Sequence, residues 1–141
     1  MPGTKGARHH DRVRTPEQIL RDARTIAVVG ASPDAQRTSN RVMRYLQQVG
    51  YRCIPVNPNT GEVLGERAYP SLRDVPEPVD FVDVFRRPEY CAAVAEDAVA
   101  IGTRAVWLQL GIRNADARRI AEAAGLDFVE DACTLVVHRG L

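Results

Sequence analysis

The sequence predicts an α/β fold: a doubly wound parallel sheet of about five strands with helices on both faces. Three observations lead there. Short apolar, β-branched runs alternate with segments of helical spacing from residue 15 onward. The runs lack polar alternation, as expected of strands covered on both faces. The connections are short, so each helix crosses back over the sheet to the next strand. Right-handed crossovers then favour the strand order 3-2-1-4-5, with 2-1-3-4-5 as the alternative.

The first fourteen residues, MPGTKGARHHDRVR, have little to bury and read as a flexible tail. They precede a single domain, residues 15–141. His9 and His10 lack further ligands at metal-site spacing, so no metal site is expected. Thr15-Pro16-Glu17 starts a helix over about 16–23, with Thr as N-cap, Pro at N1 and an acid in the first turn. It is expected against the sheet edge.

TIAVVG (25–30) is the first strand. In RVMRYLQQVG (41–50), Val42, Tyr45, Leu46 and Val49 recur at helical spacing and Gly50 closes the helix. YRCIPV (51–56) is the second strand, followed by the turn-rich NPNTGEVLGERAYPSLRDVPEP. VDFVDVF (79–85) is the third strand, and 88–102 a helix with Pro88 near N1 and Gly102 at its end. RAVWLQLG (104–111) is the fourth strand. Asn114 caps the next helix, whose Ala117, Ile120, Ala121 and Ala124 face inward and which stops at Gly125. LDFVED (126–131) is the fifth strand, and ACTLVVHRGL is expected as a short edge element or a cover over the sheet.

Composition narrows the function classes. The 141 residues are 45% hydrophobic and 26% charged, with net charge +1, so no overall field points to nucleic acid or a membrane surface. Aromatics make up 6%, without the basic and aromatic stripe of a base-stacking platform. Cys53, Cys91 and Cys133 form no C-x-x-C pair and read as reduced thiols. No secretory signal or long apolar run is seen. A cytoplasmic protein is expected, with neither a membrane nor a nucleic acid as partner.

Ligands of open α/β sheets bind at the strands' carboxyl ends, where the strand order reverses. The first tip offers Gly30, Ala31 and Ser32. A helix starting near Ser39 or Asn40 turns free N–H groups and a partial positive charge toward an anion. Arg37, with Arg41 in reach, adds a guanidinium suited to phosphate. The second tip offers Val56, Asn57 and Pro58, the third Phe85, Arg86 and Arg87, the fourth Gln109 and Gly111, the fifth Asp131 to Cys133. Arginines on neighbouring tips around a small-residue turn point to a polyphosphate. Taken alone, GAS reads equally well as a tight turn, and Arg86-Arg87 as a solvated pair.

The ligand is not expected to be NAD. The chain reads G-A-S-P-D-A, not G-x-G-x-x-G, and Val-Asn-Pro-Asn stands where an acid would hold the ribose. Those apolar and amide groups suit an adenine or a pantetheine amide. No G-K-[ST] follows the glycine, which excludes a P-loop. Catalytic sets are poorly supported: Asp80 and Asp83 face opposite sides of their strand, and Glu130 and Asp131 serve equally well as strand-end caps. Cys53 and Cys91 read as core residues. Trp107 is expected in the core, with Leu108 and Leu110 on the other face.

AVVGAS with Arg37 and Ser39, YLQQVGY, PVNPN, VLGERAYPSL, VDFVDVFRRPE, VWLQLGI and EDACTLVVHR, in this order, resemble the small CoA-binding protein family. That family is related to the CoA-binding domain of the succinyl-CoA synthetase α-subunit and of ADP-forming acyl-CoA synthetases. The matching pieces span about residues 25–138. The resemblance implies a Rossmann-like fold and coenzyme A or an acyl-CoA as ligand. By position it puts the diphosphate on Gly30, Ala31, Ser32, Arg37 and Ser39. Val56, Asn57 and Pro58 would lie along the nucleotide, Phe85 and Arg86 on the adenine side, Gln109 and Gly111 beside the pantetheine arm.

The related synthetases phosphorylate a histidine in further domains, which have no counterpart among these residues. His138 is expected as an edge-packed histidine, and no catalytic residue is assigned. Cys133, at a strand tip, reads either as a thiol beside the ligand's thiol or, as is commoner, as a buried structural thiol. The expectation is a binding module: a carrier, a sensor or a partner of a catalytic subunit. The alternatives are an NAD(P)- or other nucleotide-dependent enzyme and a structural or regulatory dimer with a vestigial pocket. A homodimer and a separate protein partner are both left open.

Overall fold

Five apolar runs pair side by side in parallel, because each is buried on both faces and can be covered only by helices above and below. A computed structural model describes residues 13–141. In chain order the elements are helix α1 (Pro16–Asp22), strand β1 (Thr25–Val29), helix α2 (Thr38–Gln48), β2 (Arg52–Val56), the ribbon of β3 (Glu62–Val63) and β4 (Glu66–Arg67), and a 3-10 turn (Leu72–Asp74). Then come β5 (Phe81–Val84), α3 (Pro88–Ile101), β6 (Ala105–Leu108), α4 (Ala115–Ala123), β7 (Asp127–Val129) and α5 (Thr134–Arg139).

The main sheet runs β2-β1-β5-β6-β7. Outside β2, Tyr69 forms a single parallel bridge to Val56. Its N–H donates to the Pro55 carbonyl (3.1 Å), and its carbonyl accepts from the Asn57 N–H (2.9 Å). With that rudimentary edge counted, the sheet follows the expected 3-2-1-4-5 pattern, with β7 added as a sixth member. The third member is the Tyr69 segment, not residues 79–85, and by full strands alone the order is the alternative, 2-1-3-4-5. The reason is burial. Every residue of Phe81–Val84 is buried, which demands a central place, while Pro70 has no N–H to extend pairing beyond Tyr69.

The chain therefore leaves β1 toward β2 on one side and returns to β5 on the other. This reversal opens a crevice at the carboxyl ends of β1 and β5. The strand period of two sorts the β5 side chains. Phe81 joins Ile26, Val28 and Trp107 under α1, α2 and α5, while Val82 and Val84 pack with Val106 and Leu108 under α3 and α4. Asp83 shares its face with Phe81.

Helix α1 has the expected Thr15 cap, extended to a capping box by Gln18. It lies over the sheet face beside α5 rather than at the edge. Arg14 belongs to the folded part: its Nε donates to Asp127 (2.8 Å) and its Nη1 to Asp22 (3.2 Å). Residues 1–12 of the expected tail, including His9 and His10, fall outside the described residues. Ala124 does not face inward; it is the exposed cap of α4, one position before Gly125. The C-terminal segment forms a helix over the sheet rather than an edge element. Its β-branched residues hide the helical pattern, and Thr134 is buried with Leu135 and Val137 partly so.

Candidate functional site

Strand β1 ends where Gly30 turns at φ +86° and donates its N–H to the Val56 carbonyl at 2.9 Å. The next residues are held from both sides by amides. Asn57 Nδ2 donates to the Ala31 carbonyl (2.7 Å), and Asn40 Nδ2 donates to the Ser32 carbonyl (2.9 Å). Asn57 Oδ1 accepts the Asn59 N–H (2.8 Å), so both ends of this side chain fix backbone. Ser32 Oγ accepts from the Asp34 N–H, Asp34 Oδ1 from Gln36, and the Asp34 carbonyl from Arg37. These turns deliver the chain to the start of α2.

That start lies earlier than expected. Arg37, not Ser39 or Asn40, is the N-cap, and its side chain makes no capping bond. Among the described residues the N–H groups of Thr38 and Ser39 have no hydrogen-bond partner. The helix thus presents unmatched donors and the positive end of its dipole to the crevice.

The crevice is a cleft of about 640 Å³. Gly30, Ser32, Arg37, Thr38 and Ser39 line one side and Phe85, Arg86, Arg87 and Pro88 another, completed by Asn57, Gln109, Leu110, Ile112 and Cys133. Among the described residues neither Arg37 nor Arg86 has a carboxylate partner; the Arg86 guanidinium stacks 4.4 Å over the Tyr90 ring. Two guanidiniums and a helix N-terminus make this an anion-attracting cleft.

Four of the expected site residues do not line it. Ala31 and Val56 are buried behind the turn, where their backbone carbonyls hold it. Pro58 is exposed beyond the lining. Gly111 turns away at φ +84°, and its N–H donates to Asp131 Oδ1 at 2.8 Å. Arg41 is exposed and outside the cleft lining. Thr38, Pro88, Leu110 and Ile112 are additions. Thr38 follows from the earlier helix start, and Leu110, 69% exposed, lies past the end of β6 instead of facing the core with Leu108.

Sequence reasoning also missed a buried network beside the cleft. Gln109 Nε2 donates to Asp83 Oδ1 (2.5 Å) and to Thr134 Oγ1 (2.8 Å), and Thr134 Oγ1 donates to Asp83 Oδ2 (2.9 Å). All three residues are buried. Burial pushes the Asp83 carboxyl up to about 7, against the opposing pull of the bonds from Gln109 and Thr134. Only pairing across strands and α5 brings these three together, which the one-dimensional pattern does not show.

Residues 24–139 match the CoA binding domain family. The chain belongs to that family. The uncharacterized protein YneT of Bacillus subtilis is 38% identical over 122 residues, 86% of this chain and 90% of its own length. A solved structure of a hypothetical protein from Pyrococcus horikoshii superposes with a TM-score of 0.87 at 40% identity, covering 91% of this chain and 92% of that one. The ADP-forming acetate–CoA ligase I of Archaeoglobus fulgidus is 31% identical over 127 residues, 82% of this CoA-binding-family chain but only 18% of the ligase.

Other candidates in this chain have structural explanations. Asp80 Oδ2 accepts the N–H groups of Arg24 (2.8 Å) and Thr25 (2.9 Å) and so ties the start of β1. Glu130 accepts from the Asn114 N–H and Arg118. Asp131 is held below the usual carboxylate range by the Gly111 N–H and by Arg113. His138 lies away from the cleft: its Nδ1 is 2.7 Å from Tyr45 Oη, and the rings of Tyr45 and Tyr51 meet it edge-on. Trp107 is fully buried and donates to the Ala132 carbonyl at 2.9 Å. Cys53 and Cys91 are core residues whose burial pushes their thiols up to about 12 and about 11. Cys133 is half-buried in the cleft lining. Among the described residues no group of three metal-ligating side chains occurs, and no helix is long and apolar enough to cross a membrane.

Proposed function

We propose that the cleft binds coenzyme A or an acyl-CoA. The observation that carries this reading is the uncapped start of α2, opening between the guanidiniums of Arg37 and Arg86. A diphosphate over the Gly30–Ser32 turn meets the Thr38 and Ser39 N–H groups and Arg37. Phe85 and Arg86 flank the adenine, Arg86 in reach of the ribose phosphate. The pantetheine arm runs past Gln109 toward the apolar Leu110 and Ile112 and the Cys133 thiol. Family membership supports the ligand class, and the missing ribose-binding acid at the tip of β2 counts against NAD.

The protein acts in this reading as a cytoplasmic CoA-binding module: a carrier, a sensor or the partner of a catalytic subunit. Ligation is the named activity of the Archaeoglobus protein, of which this chain spans 18%. Thermal unfolding at rising CoA concentration tests the proposal. A ligand that binds only the folded state raises the Tm progressively. A Tm unmoved by millimolar CoA contradicts it.

A further inference from the structure

Gln109 is 4% exposed yet lines the cleft. Its Nε2 directs both hydrogens inward, to Asp83 and Thr134. Among the described residues every buried side-chain nitrogen or oxygen has a partner, and Gln109 Oε1 has none, so Oε1 is the atom that reaches the cleft. We infer that Asp83 locks the Gln109 amide with its oxygen outward, making Gln109 a fixed acceptor that selects a ligand arm bearing an N–H, of secondary-amide type, over one presenting an ester or carbonyl oxygen there. This rests on the CoA reading, since the pantetheine arm carries secondary amides.

The lock has two parts. Flipping the amide would set Oε1 against an ionised Asp83 carboxylate at 2.5 Å, acceptor against acceptor. The Thr134 hydroxyl has a single hydrogen, already given to Asp83 Oδ2, and offers none to a flipped Oε1. Protonation of Asp83 releases the lock, because its new O–H can donate to Oε1 and let the NH₂ group turn to the cleft. Few titratable side chains lie on the elements packed around Asp83. β1 and β6 carry no titratable side chain, and the Cys53 thiol of β2 is pushed up to about 12. On α2, Arg41 and Arg44 are exposed and Tyr45 is paired with His138 of α5. Cys133 precedes α5, whose Arg139 is exposed, as are Glu17, Arg21 and Asp22 of α1.

Isothermal titration with CoA and with two CoA analogues, each having one pantetheine amide N–H replaced by an ester oxygen, tests this on the full chain. At pH 8 the wild type should bind CoA about tenfold more tightly than one of the analogues, the effect of one hydrogen bond. Gln109→Met should bind that analogue and CoA alike. Asp83→Asn, and the wild type at pH 5.5, should show a reduced preference; if Asp83→Asn does not fold, the wild-type pH series carries the test of the lock. Equal affinity of the wild type for CoA and both analogues overturns the inference alone, as does a preference that survives in Gln109→Met or does not change with pH. A wild type that binds no CoA overturns the CoA reading and this inference with it.

Discussion

Gly30 and Phe85 meet backbone to backbone: a Cβ on Gly30 would lie 2.5 Å from the Phe85 carbonyl oxygen and 3.0 Å from its carbon. The tips of β1 and β5 are therefore in direct contact at the mouth of the cleft. Gly30→Ala adds a side chain at φ +86°, costing about 1–2 kcal/mol. It also forces Phe85 away, at a further cost of about 1–3 kcal/mol. Urea unfolding should show a stability loss of about 2–5 kcal/mol in this variant, and a change below about 1 kcal/mol would mean that the two tips part readily.

Arg37 is exposed and unpaired among the described residues, so its role should be in binding alone. Arg37→Ala should leave folding stability within about 0.5 kcal/mol of wild type. The same change should weaken CoA about ten- to hundredfold through loss of a charged hydrogen bond. Calorimetry of the variant against CoA checks this, and unchanged affinity would remove Arg37 from the site.

Asn57 acts as a clamp from β2 onto the turn after β1. Asn57→Ala leaves the buried Ala31 carbonyl without its partner, and about 1–3 kcal/mol of stability should be lost. Affinity for CoA should fall too, since the turn proposed to cradle the phosphates is no longer held. A stable variant with full affinity would show that the Asn40 bond to Ser32 suffices.

Asp83 makes stability depend on pH with a defined sign. Its carboxyl titrates at about 7 when folded, whereas an unfolded Asp titrates at about 3.9. Between these values the folded chain keeps a proton that the unfolded chain has released. Its contribution is complete below about pH 4, is lost as pH rises toward 7 and levels off above. In Asp83→Asn this slope should be absent, so the variant gains on wild type between pH 4.5 and pH 8. Urea unfolding at those two pH values measures it, and equal differences at both would contradict a buried, proton-holding Asp83.

The α/β pattern was legible because buried parallel strands and capped helices leave local marks: TIAVV for β1, Thr15 and Asn114 for α1 and α4. Local marks also placed Gly30, Ser32, Arg37 and Arg86 at one edge. What stayed hidden depends on distant partners. Tyr69 takes the edge position beside β2 through a single bridge, and α5 is helical because α1, α2 and the sheet bury Thr134 and Leu135. Arg14 looked like tail because its partner, Asp127, is 113 residues away. Asp83 looked like an ordinary strand residue because Gln109 and Thr134 reach it only after three separate segments have packed.

We propose a CoA polyphosphate site in the cleft at the tips of β1 and β5. Calorimetric titration of the purified protein with CoA, 3′-dephospho-CoA and NAD at one fixed salt concentration tests it most directly. The expected result is saturable binding of CoA, much weaker binding of dephospho-CoA through loss of a phosphate–arginine contact, and no binding of NAD. Binding of NAD without CoA, or of none of the three, would contradict it.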